Sequence, residues 1–319
     1  MNRIVVLDGF VLNPGDLPWD SLKALGDVTI FDRTPSALVA ERLSGYNLVL
    51  TNKTKITAEL IEQAADLKYI GVLATGYDMI DIEAAKKRGV IVTNVPEYGS
   101  MAVCQHAISL LLEITNRVGH HSQAVHEGRW IQSRDWSFWD YPLNELSGQT
   151  MGIIGLGRIG VAIAKAAHSL GMKITADQDH SQPMAPEWVE YLPFDDLIAG
   201  ADVLNLSCPL YSSNAGLINK ATIERMRNGV IIINTSRGGL IVDDDLAQAL
   251  HSGKVAAAGL DVISQEPIRP ENPLLGAPNC FITPHIAGSP KASRGRLLAV
   301  AVRNLSKFLS GTPINVVNP

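Results

Sequence analysis

The chain has 319 residues, 46% of them hydrophobic and 18% charged, so it can bury two cores and is not disordered. Its formal net charge is -5, from 27 basic and 32 acidic residues. This balance disfavours nucleic acid as the main partner, because phosphate binding requires a basic surface. No apolar stretch approaches the roughly 20 residues that span a bilayer, and no signal-peptide layout opens the chain. We therefore expect a cytoplasmic protein with neither a nucleic-acid nor a membrane partner.

Short apolar runs alternate with helical patterns along the chain. The runs are continuous rather than alternating, which predicts parallel strands covered on both faces. They lie at Ile4–Leu7, Leu48–Thr51, Tyr69–Leu73, Met151–Ile154, Lys173–Ala176, Val203–Ser207, Val230–Asn234, Ala257–Val262 and Phe281–Thr283. Helical patterns include Ile159–Leu170, Asp244–Ser252 and Arg294–Leu309. Strand–helix–strand repetition predicts an α/β fold with doubly wound parallel sheets.

The pattern divides into two α/β units. The first ends near residue 98, and the second opens at Met151. Between them, the segment from Ser100 to Gly148 has two helical stretches around a polar loop that contains several aromatic residues. The aromatic residues of this loop are Trp130, Trp136, Phe138 and Trp139. They are interpreted either as a local hydrophobic patch or as a dimer arm, which could also send an aromatic side chain into the active site of the partner.

No set of side chains predicts a metal site. The three cysteines are odd in number and widely spaced, as expected of buried thiols in a reducing compartment: Cys104, Cys208 and Cys280. Neighbouring histidines in the long middle segment lack the cysteines or carboxylates that would complete a metal site. They are interpreted as residues of a helix surface: His120, His121 and His126.

The sequence Met151-Gly-Ile-Ile-Gly155-Leu-Gly157-Arg-Ile-Gly160 fits the pattern G-x-G-x-x-G. An apolar strand precedes it and a helix follows, which is the setting of a dinucleotide-binding turn. The helix N-terminus offers free amides and a partial positive charge to phosphates. We therefore predict a dinucleotide site at the three glycines.

The strand Lys173–Ala176 leads to two candidates for reading the adenine ribose. Asp177 lies 17 positions after Gly160 (177 − 160), near the spacing expected of an acidic residue, and Gln178 follows it. An aspartate aimed at the ribose hydroxyls favours NAD and repels the 2′-phosphate of NADP, and no Arg or Lys follows before Ser181. NAD(H) is favoured and NADP(H) is not excluded. The alternative for Asp177 is a solvated carboxylate at the end of a strand.

Three polar residues follow predicted strands, at the edge where open α/β sheets bind ligands: Arg237, Glu266 and His285. Reduction of a 2-keto acid needs a cation for the carboxylate and a proton donor for the developing alkoxide, and histidine titrates near neutral pH. A carboxylate bonded to the imidazole would fix its tautomer. The alternatives are a surface ion pair of Arg237 with Glu266 and a turn cap at His285. The other seven of the eight histidines have no comparable setting.

Several motifs resemble those of the D-isomer-specific 2-hydroxyacid dehydrogenase family. Besides the glycine motif they are Ala74-Thr-Gly-Tyr-Asp-Met-Ile-Asp81, Cys208-Pro-Leu210, Gly216-Leu-Ile-Asn219, Thr235-Ser-Arg-Gly-Gly239, Gly259-Leu-Asp-Val262, Glu266-Pro267 and Thr283-Pro-His-Ile-Ala287. The segment Leu112–Trp139 is most similar to the glycerate dehydrogenase (hydroxypyruvate reductase) branch. The resemblance implies a Rossmann-type NAD-binding domain at 99–285, including a dimerisation arm. It would be inserted into a flavodoxin-like substrate domain at 1–98 plus 286–319, with the active site in the cleft between them.

The resemblance also implies roles for individual residues. Arg237 would bind the substrate, Glu266 would pair with the catalytic His285, and the substrate carboxylate would be held at Ala74, Thr75 and Gly76. Cofactor contacts would come from the glycine motif and from Arg158, Ile159, Cys208, Pro209, Thr235, Ser236, Asp261 (at the nicotinamide carboxamide), His285 and Gly288. The implied activity is hydride transfer between nicotinamide and C2 of hydroxypyruvate, glyoxylate, glycerate or a similar acid, in a homodimer.

Three positions depart from the family pattern. The ribose acid of the family falls at Gln178 rather than Asp177, and Ser207 replaces a common histidine. Gly288-Ser-Pro290 stands where relatives often carry an aromatic residue, which would open the pocket to larger substrates. The alternative function is an NAD(H)-sensing regulatory protein on the same scaffold, similar to the C-terminal-binding corepressors. A formate dehydrogenase is a weaker alternative, since its relatives carry Gln where Glu266 stands.

Overall fold

In the computed structural model, which describes residues 2–177 and 185–319, the chain forms two compact units. One unit runs to Gly99 and resumes at Gly288, and the other is Ser100–Ala287. The second unit is therefore an insertion into the first along the chain.

The described elements are short strands and helices in alternation. The strands are β1 (Arg3–Val6), β2 (Asp27–Ile30), β3 (Leu48–Thr51), β4 (Tyr69–Val72), β5 (Ile91–Thr93), β6 (Thr150–Ile154), β7 (Lys173–Asp177), β8 (Glu190–Leu192), β9 (Val203–Leu206), β10 (Val230–Asn234), β11 (Val255–Leu260) and β12 (Cys280–Ile282). The helices are α1 (Asp20–Lys23), α2 (Val39–Leu43), α3 (Ala58–Gln63), α4 (Ile82–Lys87), α5 (Ser100–Asn116), α6 (Val118–His126), α7 (Arg158–Ser169), α8 (Phe194–Gly200), α9 (Lys220–Arg225), α10 (Asp243–Ser252) and α11 (Lys291–Leu309). Among the residues described, no helix combines the length and the apolar character needed to cross a bilayer.

The unit formed by the two ends of the chain contains a five-stranded parallel sheet in the order β2-β1-β3-β4-β5. Its central strands are buried on both faces. One face packs against apolar residues of α11, such as Leu297 and Leu305, and the other packs against residues of α2, α3 and α4. This doubly wound order is the flavodoxin-like one that the family resemblance implies.

The segment after α11 closes the edge of this sheet. The Val317 amide donates to the Val92 carbonyl at 2.9 Å, and the Val92 amide donates to Asn318 Oδ1 at 2.8 Å. The Asn318 side chain also donates to the Val90 carbonyl at 2.8 Å. An edge strand that would expose unpaired backbone groups is thereby satisfied from within the unit.

The inserted unit contains a seven-stranded parallel sheet in the order β12-β11-β10-β9-β6-β7-β8. The order reverses between β6 and β9, which is the point where open α/β sheets bind ligands at the carboxyl ends of their strands. One apolar cluster covers each face, with α5 and α7 on one side and α8, α9 and α10 on the other. This confirms the Rossmann-type fold.

Three strands of the structure are not among the strands predicted from the sequence: β2, β5 and β8. Two of them, Asp27–Ile30 and Glu190–Leu192, lie at sheet edges, begin with an acidic residue and are only partly buried. Their apolar runs are therefore too short and too polar to stand out. The helix α11 also begins three residues earlier than the pattern at Arg294 predicts.

Candidate functional site

The glycine motif lies in the turn from β6 into α7. Gly155 has a φ of +93°, and a Cβ there would lie 2.4 Å from the Cys208 amide nitrogen. A Cβ at Gly160 would lie 2.4 Å from the Gly155 carbonyl oxygen. By contrast, a Cβ at Gly157 would meet nothing within 4 Å. The first and third glycines therefore permit a tight turn, and the second leaves open space at the N-terminus of α7, where a phosphate can bind.

The loops after β9 and β10 lie at the same edge of the sheet. The Ser207 amide donates to the Ile154 carbonyl at 2.8 Å, and Ser236 Oγ donates to the Cys208 carbonyl. Thr235 Oγ1 is buried and has no hydrogen-bond partner among the described residues. A buried hydroxyl without a partner is unfavourable, and a bound ligand would supply one. The open helix N-terminus and this hydroxyl together fit a dinucleotide.

Two of the predicted cofactor residues have settings that limit their role. Burial raises the pKa of the Cys208 thiol to about 11, with smaller contributions from its surroundings, so the thiol is protonated at neutral pH. Ile159 is partly buried against the core beneath α7. The Cys208 side chain can therefore contact a ligand as a neutral thiol, not as a thiolate.

Asp177 is the last residue of β7, next to the glycine-motif strand in the sheet. It is only 6% exposed, so it is not a solvated carboxylate at a strand end. After burial, the charge of Asp177 is a further cause of the raised pKa of the Cys208 thiol, as expected of a carboxylate close to the glycine turn. The competing candidate, Gln178, lies outside the described residues.

The predicted acid–base pair forms in the structure. His285 Nδ1 lies 2.6 Å from Glu266 Oε2, and the two side chains are 33% and 35% exposed. Because a carboxylate only accepts hydrogen bonds, Nδ1 carries the proton of this bond and Nε2 is left to exchange a proton. His285 has a φ of +55°, a conformation that costs a non-glycine residue about 1–3 kcal/mol and persists only where its surroundings enforce it.

The backbone at Arg237 is held from two sides. Asn234 accepts from the Ser236 amide at 3.0 Å and donates to the Arg237 carbonyl at 2.9 Å. A Cβ at Gly238 would lie 1.8 Å from the Ile263 carbonyl oxygen, so only glycine fits after the arginine. This turn fixes where the guanidinium leaves the end of β10.

Asp261, at the end of β11, is 1% exposed and holds the turn that carries His285. Its carboxylate accepts from the amides of Ile286 and Ala287, both at 2.8 Å, and from Thr283 Oγ1 at 2.7 Å. Burial opposes ionisation, but these bonds and one from His106 hold the pKa of the Asp261 carboxyl below its ordinary value. Asp261 is therefore an ionised carboxylate that accepts hydrogen bonds from several groups of the same unit.

His106 contacts the residues around His285, and the sequence analysis does not predict this contact. Its Nε2 lies 2.8 Å from Thr283 Oγ1 and 3.3 Å from Asp261 Oδ1. The expectation that none of the other histidines has a setting comparable to that of His285 is therefore wrong for His106. No local pattern could reveal the contact, because His106 and Thr283 are 177 positions apart.

In the unit formed by the chain ends, the loop Ala74–Gly76 follows β4. Two of its carbonyl oxygens accept hydrogen bonds within the unit. The Ala74 carbonyl accepts from the Val95 amide at 2.9 Å, and the Thr75 carbonyl accepts from Asn94 Nδ2 at 2.7 Å. Thr75 Oγ1 donates to the Val95 carbonyl at 2.9 Å. Among the described residues, the amides of this loop have no acceptor. Such a turn of free amides can bind an anion.

A buried carboxylate organises the neighbouring loop. Asp8, at the end of β1, accepts from the amides of Asn52, Lys53 and Thr54 at 2.7, 2.6 and 2.8 Å. Asn52 Nδ2 then donates to the Leu73 carbonyl at 2.8 Å, directly before Ala74. This network ties the loops after three strands together at one edge of the sheet. The sequence reading did not identify it.

Gly288 lies against an aromatic ring. A Cβ at this position would lie 3.2 Å from the Tyr98 hydroxyl oxygen. Tyr98 therefore occupies space that a larger residue at 288 would need. That Gly288 opens the pocket to larger substrates stays a prediction.

The arm, defined as residues 118–145, is held together by Asp140. This carboxylate contacts Arg129 and His120, which lower its pKa to about 2, with the Arg129 hydrogen bond as the largest cause. Two of its large apolar side chains are almost fully exposed: Trp136 is 96% and Ile131 is 89% exposed. Within this chain the tryptophans do not bury one another, so the aromatic residues do not form a closed local patch.

An open doubly wound sheet, with a glycine turn at its switch point and a histidine–carboxylate pair at the same edge, defines a dinucleotide-dependent dehydrogenase. Residues 108–287 match the family profile described as D-isomer specific 2-hydroxyacid dehydrogenase, NAD binding domain. The hydroxypyruvate reductase of Blautia hydrogenotrophica is 53% identical over 320 residues, which cover 99% of this chain and 99% of that protein. The chain belongs to the D-isomer-specific 2-hydroxyacid dehydrogenase family.

Solved structures agree with this assignment. D-Lactate dehydrogenase from Aquifex aeolicus, complexed with NAD and lactic acid, has a TM-score of 0.87 at 28% identity, covering 100% of this chain and 99% of that one. An acyclic imino acid reductase in complex with NADPH and D-Arg has a TM-score of 0.87 at 25% identity, covering 99% of both chains. The chain is an enzyme that uses a nicotinamide cofactor for oxidoreduction between 2-hydroxy and 2-keto acids. The regulatory alternative is not supported.

Proposed function

We propose that the enzyme reduces hydroxypyruvate and similarly small 2-keto acids to the D-2-hydroxy acids, with NADH as the preferred cofactor. The observation that carries the proposal is the His285–Glu266 pair at 2.6 Å. The relative that is 53% identical and named hydroxypyruvate reductase supports the substrate class.

In the proposed reaction, His285 is the proton donor. Its Nε2 delivers a proton to the carbonyl oxygen of the keto acid, and Glu266 stabilises the imidazolium through Nδ1 before that transfer. In the reverse direction, the neutral Nε2 takes the proton of the hydroxyl group. The pair thus serves both directions without changing partners.

The substrate carboxylate is assigned to two kinds of donor. We assign it to the free amides at Ala74, Thr75 and Gly76, and to the guanidinium of Arg237. A guanidinium can bind a carboxylate through two parallel hydrogen bonds and can polarise the neighbouring ketone. These contacts would orient C2 for reaction.

The cofactor is assigned to the edge of the seven-stranded sheet. Gly155, Gly157 and Gly160 would hold the pyrophosphate with Arg158 and Ile159, and the unpartnered Thr235 hydroxyl would bond to the cofactor. Further contacts are assigned to Cys208, Pro209, Ser236, Asp261, His285 and Gly288. When bound, the reduced nicotinamide supplies the hydride that C2 of the keto acid accepts. The products are the 2-hydroxy acid and oxidised cofactor, with one proton taken from His285.

The preference for NAD(H) rests on Asp177. A buried carboxylate beside the glycine turn would accept from the ribose hydroxyls and repel a 2′-phosphate. Gln178 is the alternative ribose contact, and it would allow NADP(H).

The assembly and compartment are proposed as a homodimer in the cytoplasm. The exposed Trp136 and Ile131 support pairing through the arm, because large apolar side chains at this exposure mark interaction surfaces. All three cysteines are free, which supports a reducing compartment.

The proposal is tested by following the oxidation of NADH and NADPH by absorbance. The panel is hydroxypyruvate, glyoxylate, pyruvate, 2-ketobutyrate, 2-ketoisocaproate and phenylpyruvate. We expect the highest kcat/KM with NADH and hydroxypyruvate or glyoxylate. Preference for 2-ketoisocaproate or phenylpyruvate would contradict the small-substrate assignment. NADH binding without turnover across the whole panel would contradict the proposed reaction.

A further inference from the structure

A further histidine–carboxylate pair, between His106 and Asp261, lies next to the turn that carries His285. His106 belongs to α5, whereas Thr283 and Asp261 follow β12 and β11. The three side chains form a line: His106 Nε2 is 2.8 Å from Thr283 Oγ1, which is 2.7 Å from Asp261 Oδ1. The roles proposed above for the active site include Asp261 but use neither His106 nor Thr283.

The directions of these hydrogen bonds follow from which of the atoms carry a hydrogen. An ionised carboxylate only accepts, so the single hydroxyl proton of Thr283 is donated to Asp261. Thr283 Oγ1 can then only accept from His106. Nε2 of His106 must therefore carry a proton, which also points at Asp261 Oδ1 at 3.3 Å.

The line of bonds ends on the backbone around His285. Asp261 accepts from the amides of the two residues that follow His285, and the His285 amide donates to the Thr283 carbonyl at 2.9 Å. The left-handed conformation of His285 persists only when its surroundings enforce it. The contacts from His106 and Asp261 are part of that enforcement.

We propose that His106 is a positioning residue for the reaction. Its Nε2–H acts through the Thr283 hydroxyl and the Asp261 carboxylate to hold the turn Thr283–Ala287, in which His285 reaches Glu266. This inference rests on the proposed function, since it takes His285 as the proton donor. His106 itself is assigned no contact with the substrate.

The test compares His106→Gln with His106→Phe. Gln can place an amide N–H near the position of Nε2, whereas Phe keeps a ring but has no donor. We expect His106→Phe to lower kcat for hydroxypyruvate by about 10- to 100-fold, because small displacements of a catalytic group are costly. KM should change little, and His106→Gln should retain most of the activity.

A second pair of variants tests the same line without disturbing α5. Thr283→Val removes the hydroxyl and keeps the shape of the side chain, and Thr283→Ser restores the hydroxyl. Thr283→Val should lower kcat as His106→Phe does, and Thr283→Ser should not. Equal losses in Gln and Phe, or in Ser and Val, would reduce His106 to a packing role and overturn the proposal.

The third readout does not need turnover. Carbethoxylation of His285 by diethylpyrocarbonate is followed by peptide mass spectrometry, with His168, which stacks on Trp188, as the internal reference. The rate for His285 should differ between His106→Phe and wild type, because a released turn changes both the exposure of the imidazole and its bond to Glu266. An unchanged rate would contradict the positioning role. Absence of turnover in wild type would refute the proposed function, and the labelling comparison would still decide the role of His106.

Discussion

His285 Nδ1 and Glu266 Oε2 lie 2.6 Å apart, joining the turn after β12 to the loop after β11. Because the Nδ1 proton is donated to the carboxylate, the tautomer of the imidazole is set by the protein alone. In the proposed reaction, the nitrogen that would exchange a proton with the substrate is therefore fixed before any substrate binds.

Replacing His285 tests the proton transfer. His285→Ala should lower kcat for hydroxypyruvate by about 10²- to 10⁴-fold, because a positioned general acid contributes that much. Glu266→Gln should lower kcat less than His285→Ala does. It loses the charge that stabilises the imidazolium, but His285 remains as the proton donor. NADH oxidation measures both, and NADH binding by fluorescence titration serves as the control. An unchanged kcat in His285→Ala would end this mechanism.

Asp177 and Gln178 are compared to decide the ribose contact. If Asp177 repels the 2′-phosphate, Asp177→Ala should raise the ratio of kcat/KM for NADPH to that for NADH by about 10-fold or more, since like charges in contact cost several kcal/mol. Gln178→Ala is the matched control and should leave the ratio near that of wild type. The opposite result, a shift only in Gln178→Ala, would transfer the role to Gln178.

Asn52 is expected to act on substrate binding from a distance. Asn52→Ala leaves the Leu73 carbonyl without its donor and loosens the loop Ala74–Gly76, so KM for hydroxypyruvate should rise by about 10-fold. Steady-state kinetics measure this change. Asn47→Ala is the control, because Asn47 accepts from the Arg3 amide at the other end of the same sheet. Equal KM values in the two variants would disprove the link.

Asp261 predicts a specific acid response. Its pKa in the folded protein lies below the ordinary value of 3.8. Its contribution to stability is therefore complete above that value and is lost as the pH falls through the folded-state pKa. The difference in unfolding midpoint between wild type and Asp261→Asn should be largest near neutral pH and should shrink below about pH 4. A difference independent of pH would contradict this account, and exposed Asp66→Asn provides the control.

The arm predicts the oligomeric state. The double variant Ile131→Ser, Trp136→Ser should convert a dimer into a monomer with a mass close to the 34.4 kDa of the wild-type chain, because it removes the two most exposed large apolar side chains of the arm. Light scattering coupled to size-exclusion chromatography measures the mass. Leu275→Ser, at an exposed leucine outside the arm, should leave the dimer intact. A wild-type monomer, or a dimeric double variant, would refute pairing through the arm.

The strands and the site residues that follow them could be predicted from the sequence. Parallel strands carry continuous apolar runs, and residues after such runs meet at one edge of the sheet, which predicts that Glu266 and His285 lie at that edge. The pairing of these two side chains with each other is implied by the family resemblance. The glycine motif was informative because its spacing follows from backbone geometry alone. In each case a short local pattern is enough.

The residues that support the site could not be predicted in this way. His106 reaches Thr283 over 177 positions, and Asp8 reaches the loop after β3 over 44 to 46 positions. Such contacts depend on how a helix lies on a sheet and on strand order, and neither leaves a signal in local spacing. Buried polar residues with distant partners therefore remain hidden until the fold is known.

The first unit consists of two separate segments of the chain, which the ribosome synthesises at different times. Its sheet needs α11 over one face and Val316–Asn318 along one edge, as in the contact of Tyr69 with Phe308 at 4.8 Å between ring centroids. The ribosome produces those residues only after the whole of Ser100–Ala287. We expect the inserted unit to fold first, while the earlier-made strands wait with an apolar face uncovered. The first unit therefore completes its core only after all of the inserted unit has been synthesised.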